Sequence, residues 1–324
     1  MATSRSWRAS RALDGPHPVR VEDIAELNRV FSDAFTERYR RDGMVGVRVP
    51  FLNPAIWRYA IEDADGGAML WRDEQGDVGA FNIAHGSGAE GWMGPLAVRS
   101  ECQGAGNGKT VVRAGVDWLR TRGARVIGLE TMPRTMDNIG FYSRLGFVPG
   151  RLTMTMTLDA AAADRHAVLL GRLSTREKED AVAECRAVLA ETLEGYDFSR
   201  ELLLTDSLSL GDTVLLREQG ALVGFALCHT VPLVEGRARE ELRVLKLVVR
   251  RAELLEPMLR LLRDFARRSG TRRVAIRVQG EYGEAYRQLV ALGARVRWTD
   301  LRMTLAGHEE PRPAEGMVLS NWEI

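Results

Sequence analysis

The sequence predicts an α/β fold built as two tandem copies, and three observations lead there. A chain of 324 residues is long enough for about two domains. Apolar runs of strand length alternate through it with apolar positions spaced three and four apart, the signature of amphipathic helices. The order of the first half then returns in the second. Leu145-Gly146-Phe147 corresponds to Leu292-Gly293-Ala294, and Met154-Thr155-Met156-Thr157-Leu158 to Leu301-Arg302-Met303-Thr304-Leu305. A repeat of about 147 residues, from Gly146 to Gly293, is a duplicated domain, too long for a solenoid unit.

The elements follow in order. Residues 1–15 read as a flexible leader, Arg- and Ser-rich without an apolar core and so unlike a secretory signal. Residues 19–21 suit a first strand, and 22–40 an amphipathic helix with Ile24, Leu27, Val30, Phe31 and Phe35 on one face. Residues 42–65 are irregular. Residues 68–73 and 77–85 form a hairpin around Glu74-Gln75-Gly76. Residues 90–98 are a strand, 110–122 a helix ended by Gly123, 125–132 a strand, and 147–158 the strand that closes the first domain. The domain limits are 16–158 and 173–306, with a linker over 159–172. Ser174 and Glu177 fit a capping box for a helix reaching about residue 194. A hairpin around Gln219-Gly220, a strand at 243–249, a helix at 254–268 and strands at 273–278 and 296–305 repeat the first pattern, with a short helix at 284–292. The tail, 307–324, ends in Met-Val-Leu-Ser-Asn-Trp-Glu-Ile, apolar enough to be expected to pack as a strand on its own chain or a partner.

Composition excludes several classes. With 45% hydrophobic and 27% charged residues the chain is an ordinary soluble globular one. Lys and Arg number 45 against 44 Asp and Glu, a net +1, so no overall field draws it to nucleic acid or an anionic membrane, and neither is expected as a partner. No apolar run is long enough to span a bilayer. Three scattered cysteines without a C-x-x-C pair or Cys/His cluster give no metal site and suit a reducing, cytoplasmic setting.

The most informative stretch is Val-Arg-Ser-Glu-Cys-Gln-Gly-Ala-Gly-Asn-Gly-Lys-Thr at 98–110, between a strand and a helix. Glycines at 104, 106 and 108 let backbone N–H groups converge and a ligand approach without meeting a Cβ. The following helix adds its own unpaired N–H groups and the positive end of its dipole. Together these make an anion site, most often for phosphate. A P-loop fails at Gln103, where its first glycine belongs, and a dinucleotide fingerprint fails at Lys109, where its third does. The pattern [Q/R]-x-x-G-x-[G/A] fits Gln103-Gly104-Ala105-Gly106-Asn107-Gly108 throughout. It resembles the pyrophosphate loop of the GNAT N-acetyltransferase superfamily, as does Asp137-Asn138-Ile139-Gly140-Phe141-Tyr142-Ser143-Arg144-Leu145-Gly146-Phe147, which is similar to that family's tyrosine helix.

The resemblance implies two GNAT-like domains, each a mixed, largely antiparallel sheet with a splayed parallel strand pair and flanking helices. It implies acetyl-CoA as cosubstrate, held by Gln103, Gly104, Ala105, Gly106, Asn107, Gly108 and Lys109, with Leu96, Ala97 and Val98 offering backbone groups near the thioester. Tyr142 is then the acid for the CoA thiolate. The family's asparagine seven residues before the tyrosine is Thr135 here, with Asn138 nearby, so both are candidates for the pantetheine arm. The base is undetermined among Glu90, Glu130 and His85. The second copy has no glycine from Val249 to Pro257, carries Glu253 and Glu256 there, and has Leu289 in place of Tyr142. One acetyl-CoA per chain is therefore expected, with the second copy as scaffold, as a wall of the acceptor site or as the surface of a possible homodimer. The leading reading is an N-acetyltransferase acting on a primary amine, a small-molecule one. The alternatives are a CoA-binding sensor or scaffold without turnover and, more distantly, a P-loop kinase.

Overall fold

The structure, a computed structural model, describes residues 12–323. The first half contains β1 (Asp14–Pro18), α1 (Ile24–Arg41), α2 (Pro54–Asp63), β2 (Ala68–Arg72), β3 (Val78–Ser87), β4 (Glu90–Val98), α3 (Asn107–Thr121), β5 (Val126–Thr131), α4 (Met136–Ser143) and β6 (Phe147–Asp159). The second contains β7 (Val168–Leu169), α5 (Thr175–Thr192), α6 (Ser199–Ser207), β8 (Gly211–Glu218), β9 (Ala221–His229), β10 (Glu241–Val249), α7 (Leu255–Arg268), β11 (Arg273–Gln279), α8 (Gly283–Ala291), β12 (Arg295–Leu305) and β13 (Met317–Ser320).

Local chemistry explains the elements, including those the sequence reading missed. In α1, Ile24, Leu27, Val30 and Phe31 are buried at helical spacing. In α5 the Ser174–Glu177 capping box forms. The stretch read as irregular holds α2, because the Asn53 side chain accepts the Ala55 N–H and Pro54 occupies the first helical turn. That helix buries Ile56, Trp57 and Ala60. The first strand falls earlier than residues 19–21. It carries Pro16 and Pro18, which an edge strand tolerates, and Val21 instead enters a short 3-10 turn. Of the leader expected over 1–15, residues 1–11 lie outside the described residues, while Asp14 already belongs to β1.

The strands form one 13-stranded sheet in the order β1-β2-β3-β4-β5-β12-β6-β11-β10-β9-β8-β7, with β13 on β10. The two halves exchange their last strands. β12 pairs with β5, Leu301 opposite Thr131 and Arg302 opposite Glu130. β6 pairs with β11, and β6 and β12 pair with each other along the centre. On one face α1, α2, α5 and α6 share a single core that runs across both halves. On the other, α3 and α4 cover the first half with Met93, Val112, Leu129 and Phe147, and α7 and α8 cover the second.

Both parallel pairs open. β4 and β5 are paired from Glu90–Val126 to Met93–Leu129 and no further. Beyond that point β4 is paired with β3 alone, through an irregular register at Gly94 and Pro95. β10 and β11 part after Arg243–Ala275, but there β13 fills the gap, Lys246 to Val249 pairing antiparallel with Ser320 to Met317. Among the described residues, no helix is long and apolar enough to cross a membrane.

Candidate active site

The glycine loop sits where the open β4–β5 slot meets the start of α3. Gly104 and Gly106 have φ of 98° and 86°, and Gly106 is the N-cap residue of α3. A Cβ built on either would meet nothing within 4 Å, so the ligand side of the loop is open space. Gly106 offers no side-chain cap, which leaves the first N–H groups of α3 facing that space. Gln103 Nε2 donates to the Val98 carbonyl at 2.9 Å, and Asn107 Nδ2 to the Cys102 carbonyl at 2.8 Å, so both side chains brace the loop. Ala105 and Lys109 are exposed, and Gly108 packs close to the Phe141 ring of α4.

Tyr142 projects from α4 into the cluster that contains Met93 and Leu129, the last paired residues before the strands part. Phe141 and Phe147 flank it, with ring centroids 5.2 Å and 6.0 Å away. Burial pushes its phenol up, so it stays protonated across the neutral range. Leu96, Ala97 and Val98 line the opened side of the slot, with Leu96 and Val98 held by Asn82 and Ala80 of β3. Asn138 is half-buried, and its Nδ2 lies 3.5 Å from Thr131 Oγ1 at the end of β5.

Several candidates do not serve as expected. Thr135 is fully buried and its hydroxyl donates to Asp42 Oδ2 at 2.9 Å, tying α4 to the end of α1; it does not face the slot. Glu90 is sealed at 0% exposure, at the end of β4 remote from the loop. Its Oε1 accepts from Trp322 Nε1 (2.8 Å), and its Oε2 from Ser320 Oγ (2.8 Å) and Lys246 Nζ (3.2 Å). With no exposed surface and a place at the far end of β4 from the slot, that carboxylate cannot meet a substrate amine. Glu130 is bound by Arg302 Nε at 2.9 Å, by Arg277 and by Thr153. Burial works against its charge, but Arg277, Arg302 and the Thr153 hydroxyl outweigh it and hold the carboxyl at about 2, too weak a base for an ammonium proton. His85 is buried with both ring nitrogens engaged, Nδ1 with Asp63 at 2.6 Å and Nε2 with the Gly94 carbonyl at 3.2 Å. Its ring stacks on Trp92. It fixes the point where β4 turns away from β5.

On the sheet face opposite α4, next to the slot, the structure gathers groups that sequence reasoning did not assemble. Asp300 of β12 lies one strand beyond β5, on the same face as Arg302 and Glu130. Its Oδ2 accepts from Arg277 at 3.1 Å and its Oδ1 from Trp298 Nε1 at 3.2 Å. Tyr39 of α1 faces Trp298 at 6.4 Å. Glu323 of the tail pairs with Arg277 at 2.7 Å, and the Trp322 that precedes it lies against Gly94 and Gly128. In the sequence Trp298 and Asp300 are only part of a repeated strand, and Glu323 only the tail's end. No local pattern marks a contact made by folding the second half onto the first. A separate cavity of about 560 Å³, bordered by Leu169, Arg172, Asp212, Arg239, Phe265 and Arg268, lies in the second half and does not touch the loop or Tyr142. Among the described residues no group of three or more His, Cys, Asp or Glu is arranged to hold a metal.

The structure thus joins a sheet with a splayed parallel pair, a glycine loop at a helix start and a tyrosine helix beneath the opening. Residues 27–147 match the acetyltransferase (GNAT) family. The chain is 28% identical over 96 residues to N-alpha-acetyltransferase 30 of Schizosaccharomyces pombe, a match covering 28% of this chain and 64% of the relative. Two solved structures share the fold over nearly the whole length. One, from Pyrococcus horikoshii and described provisionally as an acetyltransferase, has a TM-score of 0.66 at 15% identity, covering 99% of this chain and 98% of the other. The other, a tandem GNAT protein from the clavulanic acid biosynthesis pathway, has a TM-score of 0.57 at 13% identity, covering 90% and 98%. The match to the acetyltransferase (GNAT) family thus covers residues 27–147, and over nearly its whole length the chain shares its fold with a tandem GNAT protein.

Proposed function

We propose that this chain is an acetyl-CoA-dependent N-acetyltransferase with a single coenzyme site in its first half, acting on a primary amine of a small molecule. The observation that carries this is the coincidence at one place of the open glycine loop at the start of α3, the unpaired stretch of β4 beyond Met93, and Tyr142 beneath it. The N–H groups at residues 104–109 take the diphosphate. The opened edge of β4 at Leu96, Ala97 and Val98 receives the pantetheine arm as an added strand would, and offers N–H groups to the thioester oxygen. Asn138 stands at the far wall of the slot. A neutral amine attacks the thioester carbonyl carbon, the C–S bond breaks, and Tyr142, kept protonated by burial, donates to the leaving thiolate. In the second half β13 occupies the corresponding gap and no glycine loop exists, which supports one coenzyme per chain.

The test is thioester consumption over a panel of primary amines. It includes peptide α-amines, because one relative is named for N-alpha acetylation. Tyr142→Phe is expected to lower kcat by roughly 10- to 100-fold with little change in acetyl-CoA affinity, the pattern for a group needed only in the transition state. Tight CoA binding with no turnover on any amine would instead support a sensor.

A further inference from the structure

We propose that the base of this reaction comes from the exchanged strand: Asp300, on β12 of the second half, takes the proton from the acceptor's ammonium, and the tail carboxylate Glu323 helps seat that cation. The inference rests on the acetyltransferase reading and assigns it a further catalytic residue and a cationic acceptor.

Placement comes first. Because β12 is paired with β5 at Arg302–Glu130 and Leu301–Thr131, Asp300 stands just past the end of β5, on the same face as Glu130. This is the level at which β4 has already left β5, so an amine approaching the thioester from that face comes up to Asp300, which is 5% exposed and takes the amine in exchange for its 3.2 Å contact with Trp298 Nε1. Tyr39 of α1 and Trp298 of β12 form an aromatic pair there. The charges that face Asp300 are Arg277 from β11, Glu130 from β5 and Glu323 from the tail, with the Tyr39 hydroxyl group on the α1 side.

Charge comes second. The two guanidinium groups of Arg277 and Arg302 are shared among four carboxylates, Glu130, Asp300, Glu323 and Glu310. Arg277 and Arg302 both bind Glu130, and buried Arg243 acts on Glu323, so four carboxylates face three guanidinium groups and Asp300 holds the longest of the ion pairs, 3.1 Å. Burial, then the charge of Glu323, push the Asp300 carboxyl up to about 7 despite Arg277, a value matched to accepting a proton near neutrality. An incoming ammonium offsets the surplus, which a neutral acceptor would leave uncompensated.

The step balances. The ammonium gives one proton to Asp300, and the freed lone pair forms the C–N bond to the thioester carbonyl carbon. As the C–S bond breaks, the second proton shed on becoming an amide matches the one the thiolate takes up, and Asp300 returns its proton to solvent.

The experiment measures kcat/KM against pH, from about 6 to about 9, for the full-length protein with acetyl-CoA and primary alkylamines, alongside calorimetric CoA affinity and thermal unfolding. The wild type is expected to gain activity through an apparent pKa of about 7. Asp300→Asn is expected to fall by about 100-fold or more at neutral pH, to lose that limb, and to recover as rising pH frees the amine, with CoA affinity unchanged. Glu323→Gln, at a half-exposed position, is expected to move the limb to lower pH and raise KM for the amine. Asp300→Asn within about twofold of wild type with the limb intact would overturn the proposal. So would an unmoved limb and unmoved KM in Glu323→Gln, which decides the matter if Asp300→Asn does not fold. A wild type that neither binds CoA nor consumes thioester would overturn the acetyltransferase reading itself, a result distinct from either.

Discussion

Gly106 and Glu130 show how single residues divide binding from stability here. Gly106 has φ 86° with open space around its missing Cβ, so an alanine there meets no neighbour and costs only the strain of the left-handed region, roughly 1 kcal/mol. Gly106→Glu keeps that modest cost but places a carboxylate where we propose that the diphosphate binds. Its CoA dissociation constant, measured by calorimetry, is expected to rise by more than about 100-fold while the unfolding temperature drops by a few degrees. Glu130 behaves in the opposite way. Replacing it with Gln removes the one carboxylate that bridges Arg277 and Arg302 in a buried site and is expected to cost about 3–5 kcal/mol in denaturant unfolding. Its folded-state value of about 2 lies below that of the unfolded chain. The stability it contributes is therefore full above the ordinary glutamate range and is lost as pH falls toward about 2. Glu130→Gln should flatten that acid limb of the stability curve. The positions of the glycine loop and of the helix carrying Tyr142 were legible because each is written in adjacent residues. The engagement of Glu90 and Glu130 was not, because Trp322, Lys246, Arg277 and Arg302 reach them from more than a hundred residues away.

At the scale of elements, periodicity located most helices and strands, since burial on one face imposes the spacing, but α2, α6 and the two-residue β7 went unread. Where it failed the cause is local. Pro16 and Pro18 disguised an edge strand, and α2 went unread although Asn53-Pro54 is a helix start. The tail strand β13 does more than cover apolar surface. It closes the open edge of β10, and its continuation brings Trp322 beneath Arg302, 3.8 Å from the guanidinium carbon to the ring centre. A Cβ on Gly128 would lie 2.2 Å from that indole, so glycine at 128 is what admits the ring. Trp322→Ala is expected to destabilise by about 3–5 kcal/mol, through the void and through loss of a donor to buried Glu90, read from chemical denaturation. A loss below about 1 kcal/mol would mean the tail is not docked as described.

For the molecule as a whole, the exchange of β6 and β12 decides what the duplication is for. From sequence alone the two copies read as consecutive domains with limits at 158 and 173, because a strand's alternation is the same whichever sheet it joins. In the structure each copy completes the other: β12 borders β5 beside the slot, β6 borders β11, and one core joins α1 and α2 to α5 and α6. The second copy thus brings Trp298, Asp300 and, through the tail, Glu323 to the face beside the slot, where we propose that the acceptor enters. A cut in the exposed stretch near Arg165 should therefore not yield two independent domains. Co-expressed fragments on either side of the cut are expected to copurify as one complex with a single cooperative unfolding transition, while each fragment alone aggregates or pairs with itself. Size-exclusion chromatography with calorimetry reads this directly. Two soluble monomeric fragments, each unfolding cooperatively, would show that the exchanged strands are dispensable and that the first half can build its acceptor face without the second.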